Sequence, residues 1–250
     1  MIEMDKQGKV AVLTLNRPKV NAINQEWMTI FNSILDDLEN ASDIGVVRIR
    51  SDFKVFCAGF DIGLIKQHLE SDDGADAQIV DTKRLQDVYT RIEQLPQVVI
   101  AEINGAAMGG GLEMALCCDL RIAANEAKMG LPEATLGQVP GAGGTQRLTR
   151  LCGKGVSARI ILACEMVDGV TAEHLGIVNY SVPLADLEAA GAGLAQRISV
   201  HPPATLKASK RCIAAQADPD QDGFALEMEL NHGLLGTPET EALVNAFFNR

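Results

Sequence analysis

The stretch NGAAMGGGLEMALCCDLRIAANEAKMGLPE, residues 104–133, sets a run of glycines at the mouth of an apolar helix and carries two glutamates, Glu113 and Glu133. Gly109, Gly110 and Gly111 leave backbone N–H groups unshielded where the helix starts, and such groups form a ready site for a developing negative charge. Glu113 falls in the first turn or so, among Leu112, Met114, Ala115 and Leu116, where a carboxylate is expensive to bury without a reason. Each feature alone also has a plain structural explanation. The glycines can be a tight turn with close packing. Glu113, and Glu133 after Pro132, can be helix-start residues favoured by the dipole.

Outward from this stretch, strands and helices alternate. KVAVLTLNR (9–17) alternates, is rich in β-branched residues and stops at Pro18, which predicts a strand and turn. Gln25 to Leu38 carries a helical stripe of Met28, Phe31, Ile34, Leu35 and Leu38. VVRIR (46–50) and VVIAEI (98–103) read as further strands, each followed by a glycine-bearing turn and a helical segment. KQHLESDDGADAQIVDT (66–82) is polar around Gly74 and shows no consistent face, which predicts a mobile loop flanked by helix. From about residue 154 the chain is strongly helical. Its last piece, FALEMELNHGLLGTPETEALVNAFFN (224–249), bears Leu and Met stripes of the kind that mark core or a subunit contact. The alternation predicts an α/β fold and, by itself, also allows a doubly wound sheet.

With 250 residues and 47% hydrophobic content the chain can bury one substantial core. A formal charge of −11 argues against a polybasic nucleic-acid surface, so no nucleic-acid partner is expected. The six cysteines form no CxxC pair and no regular spacing, which suggests neither a zinc site nor a disulfide framework and makes a reducing cytoplasm the simplest compartment. MIEMDKQGKV lacks an apolar signal core, and charges interrupt the longest apolar runs, so no membrane association is expected. His68, His174, His201 and His232 lack ligand spacing and read as surface or helix-end residues; no metal is expected. GAGGTQR (141–147) contains no GK[ST], no GxGxxG opens a helix after the first strand, and no GxSxG is present.

FCAGFD (56–61), NGAAMGGGLEMALCCD (104–119) and GLPEATLGQVPGAGGTQRL (130–148) resemble, in order and with suitable gaps, the signature stretches of the crotonase, or enoyl-CoA hydratase/isomerase, superfamily. VAVLTLNRP (10–18) and TPETEALVNAFF (237–248) extend the resemblance over nearly the whole chain. It implies a crotonase-like spiral of ββα units with a helical C-terminal trimerisation region: residues 1–195 as core with an acyl-CoA site, and 196–250 as helical oligomerisation region. It implies an acyl-CoA thioester substrate, with coenzyme A entering as part of that substrate and no separate cofactor, and a homotrimer or dimer of trimers.

By the same resemblance, the backbone N–H groups of Phe60 and Gly110 are the donors that hold the thioester oxygen. Glu113 and Glu133 match the glutamates with which 2-enoyl-CoA hydratases add water, Glu113 taking its proton and Glu133 supplying one at C2. Lys19 and Val20, on the loop after LNRP, are candidates for contact with the CoA moiety. Ala58 is expected along the CoA channel, and Asp61 beside it reads more as a helix cap. Lys210 is a possible phosphate partner or a solvated helix charge. The chain departs from the family at Phe60, where a small residue is common, and at Ala242 and Leu243, where a Glu-Gly pair is common. A CoA-phosphate contact from a basic tail is then missing or left to Arg250. Two other readings stand beside hydration: a double-bond isomerase of the same superfamily, which needs one carboxylate at the Glu133 position, and a non-catalytic binding protein on the same body.

Overall fold

The computed structural model describes residues 1–249; Arg250, a candidate phosphate contact, lies outside the described residues. The chain opens with β1 (Ile2–Gln7), β2 (Val10–Leu15) and α1 (Gln25–Glu39). Three windings follow. The first holds β3 (Val46–Ser51), β4 (Val55–Cys57), α2 (Ile62–Leu69) and α3 (Gly74–Gln94). The second holds β5 (Val98–Ile103), β6 (Ala106–Met108) and α4 (Gly110–Leu116), and the third β7 (Leu120–Ala124), β8 (Lys128–Gly130), a 3-10 turn (Glu133–Leu136) and α5 (Gly144–Leu162). After β9 (Val167–Asp168), α6 (Gly169–His174), β10 (Tyr180–Val182) and α7 (Leu187–Ser199), the chain ends in α8 (Pro203–Ala215), α9 (Gly223–Leu235) and α10 (Pro238–Phe248).

The first strand of each winding joins a six-stranded sheet in the order β1-β2-β3-β5-β7-β10, and the second joins a four-stranded sheet in the order β4-β6-β8-β9. From β2 onward the larger sheet is parallel and advances without reversing its order, which makes it the expected spiral of ββα units and not a doubly wound sheet with its switch point. The core is packed largely by α1 and the strands. Asn24 caps α1 by accepting from Trp27 N, and the apolar stripe buries Trp27, Met28, Phe31, Ile34, Leu35 and Leu38, each contributing roughly 1.5–3 kcal/mol.

The predicted loop over 66–82 is a correction: α2 runs to Leu69, and α3 is helical from Gly74. Gly74 reads as a breaker in sequence, yet a Cβ there would lie 1.5 Å from the His68 carbonyl oxygen, so glycine permits close packing of α3 against the end of α2. No apolar face emerges because the buried residue here is polar. Asp81 accepts from Gln25 Nε2 at 2.7 Å and lies 3.6 Å from His68 Nε2. His68 is thus a helix-end histidine, in the last turn of α2 and largely buried, and its Nδ1 lies 2.9 Å from Gln78 Oε1. β1 is likewise absent from the sequence reading, because its charged residues suit an edge strand with one face in water.

Lys210 is not a solvated helix charge. It is largely buried and donates to Asp119 Oδ2 at 2.7 Å and to the Gln97 carbonyl at 3.0 Å, tying α8 to the strand ends. The stripes of α9 and α10 stay uncovered, with Phe224 at 82% and Phe248 at 80% exposure. Among the described residues no helix is long and apolar enough to cross a membrane.

Candidate active site

Each winding delivers one piece of a common cavity of about 330 Å³. The segment after β4 supplies Ala58, Gly59 and Phe60; the turn after β6 and the first turn of α4 supply Gly109, Gly110 and Glu113; the 3-10 turn after β8 supplies Glu133. Ile62, Ile65, Leu85, Leu136 and Val139 make much of the remaining wall apolar, with Gln78 and Thr82 as polar positions in it.

The first two pieces approach closely because glycine lies on both sides. Gly59 has φ +88, and a Cβ there would lie 2.6 Å from the Met108 carbonyl oxygen and 3.0 Å from the Gly110 nitrogen. A Cβ on Gly110 would lie 3.4 Å from the Phe60 nitrogen. The two amide nitrogens are thus neighbours across the strand ends. Asp61 N–H, beside Phe60, is engaged by the Ile23 carbonyl, and Gly110 opens a helix, where no preceding helical carbonyl is available to its N–H. Tyr89, fully buried on α3, donates its hydroxyl to the Gly110 carbonyl at 2.5 Å and so pins the first turn of α4.

Glu113 is buried, and its Oε1 accepts from Ala142 N at 2.9 Å and Gly144 N at 2.7 Å. Burial, with a further contribution from the Glu133 charge, pushes its carboxyl up to about 7, against the opposing pull of those amides and of Arg147. Glu133 is also raised by burial. Its Oε2 is buried without a hydrogen-bond partner, and its Oε1 lies 2.8 Å from where a Cβ on Gly109 would stand. Both carboxylates therefore flank the glycine turn, and desolvation raises each of them.

The remaining sequence candidates lie at the rim. Lys19 is exposed and Val20 is 38% exposed, both on the loop after β2 and outside the cavity wall. Val20 contributes its carbonyl, which accepts from Ala58 N at 3.0 Å. Ala58 is exposed on the cavity wall. Asp61 caps α2 by accepting from Gly63 N at 2.9 Å and pairs with Arg17 at 2.8 Å. Phe60 lines the cavity and packs its half-buried ring against the core.

Sequence reasoning missed the residues that hold this arrangement in place. Asn21, buried with φ 51, donates to Ser51 Oγ at 2.8 Å and the Phe56 carbonyl at 3.0 Å, seating the rim loop on the segment that leads to Phe60. An asparagine in a turn is the one signal for it, since asparagine tolerates the left-handed region. Tyr89 and the amides of Ala142 and Gly144 carry no local signal, because their partners lie in other windings.

The model of the enoyl-CoA hydratase/isomerase family matches residues 5–247. The chain is 35% identical over 250 residues to the short-chain-enoyl-CoA hydratase of Clostridium acetobutylicum, covering 99% of this chain and 94% of that one. It is 34% identical over 250 residues to the 2,3-dehydroadipyl-CoA hydratase of Escherichia coli K12, covering 99% and 95%. The solved enoyl-CoA hydratase of Bacillus anthracis superposes with a TM-score of 0.91 at 31% identity, covering 99% of this chain and 96% of that one.

Proposed function

Since the chain belongs to the enoyl-CoA hydratase/isomerase family, we propose that it adds water across the 2,3 double bond of an enoyl-CoA thioester to give a 3-hydroxyacyl-CoA. The observation that carries this reading is a pair of desolvated carboxylates, Glu113 and Glu133, on the cavity that also holds the adjoining amides of Phe60 and Gly110.

Attack at C3 sends electron density to the thioester oxygen. The Phe60 and Gly110 N–H groups meet that charge, and each such donor lowers a barrier by roughly 3 kcal/mol in a dry site. Glu113 in its ionised form takes a proton from water as the C3–O bond forms, and Glu133 in its acid form gives a proton to C2. Glu113 suits the base role because burial raises its carboxyl to about 7, which strengthens it as a base, while two amides and Arg147 support its charge once ionised. Glu133 suits the acid role because burial disfavours its charge and its Oε2 lacks a partner. Ala58 at the mouth, with Lys19, Val20 and Asp61 at the rim, is assigned to the side on which the CoA moiety enters.

Purified protein is expected to bleach the conjugated-thioester absorbance of crotonyl-CoA, with a product one water heavier by mass spectrometry. Unchanged absorbance, together with new conjugation appearing from a 3-enoyl-CoA, would make the protein an isomerase instead.

Residues 196–250 are assigned to self-association, on the support of the uncovered apolar faces of α9 and α10 and of the family fold. A homotrimer or dimer of trimers is expected by light scattering at micromolar concentration; a monomer would remove this assignment. Free cysteines, three of them buried, suit a reducing cytoplasm as its compartment.

A further inference from the structure

We propose that Arg147, clamped by Glu93 and aided by Gln86, is a positioning residue that sets the orientation and proton affinity of Glu113 through the 141–144 loop. The proposal rests on the reading of Glu113 as the base.

Both amides that hold Glu113 reach the same oxygen, Oε1, which leaves the other oxygen for the cavity that Glu113 lines. The donors are Ala142 and Gly144, separated by Gly143 at φ 103, so their convergence depends on the loop keeping one shape. Two side chains fix it. Gln86 Nε2 donates to the Gly141 carbonyl at 2.6 Å. That carbonyl belongs to the same peptide unit as the Ala142 N–H, so the unit accepts from α3 at one end and donates to Glu113 at the other, and such chains polarise one another. Arg147 Nη1 donates to the Ala142 carbonyl at 2.9 Å. The guanidinium is itself held by two bonds to Glu93 Oε2, from Nε at 3.1 Å and Nη2 at 2.9 Å.

Arg147 reaches this place only because Gly143 has no side chain: a Cβ there would lie 2.1 Å from Nη1. Arg147 is 12% exposed and Glu93 45%, so the clamp reaches from solvent to the buried carboxylate. Around Glu113 stand Glu133 from the 3-10 turn and Arg147 from α5. Tyr89 from α3 and Cys117 from α4 complete the surroundings, both raised well above their ordinary range by burial and so neutral. Arg147 is then the cation that offsets Glu133. Its loss removes both a charge and a loop anchor, and both changes favour the protonated form of Glu113.

The test is an infrared pH titration of the Glu113 carboxyl, assigned by its disappearance in Glu113→Gln, alongside the pH profile of crotonyl-CoA hydration. In Arg147→Met the midpoint is expected to rise by about one unit, and the acid limb of the profile with it. Arg147→Lys, which keeps the charge and loses the fork, is expected to shift less. A folded Arg147→Met protein titrating at the wild-type midpoint would overturn the proposal. Should Arg147→Met fail to fold, Gln86→Leu carries the test: it keeps the guanidinium and removes one anchor, so an upward midpoint supports the clamp and an unchanged one overturns it. The infrared titration decides the clamp even where the wild-type protein shows no hydration, so the two readings fail separately.

Discussion

Hydration of crotonyl-CoA is expected to fall by about 10³-fold or more in Glu113→Ala, while isomerisation of a 3-enoyl-CoA survives. The two reactions separate because hydration needs a base for water and an acid for C2, whereas moving a double bond needs one carboxylate that shuttles a proton. Glu133→Gln is expected to lose both. Combining Glu113→Ala with Glu133→Gln should cost hydration little more than the larger single change, since residues acting as one unit are not additive. Kinetics on both thioesters check this, and Glu113→Ala hydrating at the wild-type rate would remove Glu113 from the mechanism. Glu113, pushed up to about 7, loses its capacity as a base when protonated. Hydration should therefore decline as the pH falls through that value, and Glu113→Ala should abolish that acid limb together with the rate.

Gly111→Ala is expected to destabilise the protein by about 3 kcal/mol, at the upper end of overpacking costs. The added Cβ would lie 2.2 Å from the Cys57 carbonyl oxygen and 2.8 Å from the Cys57 carbonyl carbon, and backbone cannot step aside as a flexible side chain can. Relief requires α4 to move off β4, which parts the Phe60 segment from the Gly110 turn, so activity should fall with stability. Gly193→Ala is the control: it lies within α7 with open space at its Cβ and is expected to gain about 0.5 kcal/mol from helix propensity. Urea denaturation of both proteins measures the difference, and equal midpoints would refute the steric account.

Much of the frame was legible in the chain because its signals are local. The stripe of α1 and the β-branched runs of β2, β3 and β5 each announce themselves within a few residues, and the glycine run marks the mouth of α4. The short strands β4, β6 and β8 have three residues each, too few for a period to show, and they exist because the winding brings them side by side. The start of α3 was illegible for another reason. Its inward residue is Asp81, stabilised by Gln25 from α1, and no pattern of apolar residues can announce a polar burial completed from elsewhere. At the site, Glu113, Glu133, Phe60 and Gly110 were reached through motifs and line one cavity. Tyr89, Asn21 and the Gln86–Arg147–Glu93 set could not be, because their meaning lies in which carbonyl each meets across windings.

The small sheet has a metrological role. β4, β6 and β8 lie side by side with Cys57 opposite Ala107 and Met108 opposite Gly130, and each hands the chain to one piece of the cavity within a few residues of leaving the sheet. A strand advances about 3.3 Å per residue, so a slip of one residue between β4 and β6 would shift the Phe60 amide relative to Gly110 by more than the length of a hydrogen bond. The ladder thus works as a vernier: its register, which steps two residues of β4 (Val55 to Cys57) against one of β6 (Ala106 to Ala107), converts the counting of residues along three separate windings into atomic alignment of two amides and two carboxylates. Insertions elsewhere in the windings leave that alignment untouched, whereas a single insertion within a strand, or in the few residues between it and the cavity, would put the gauge out of step.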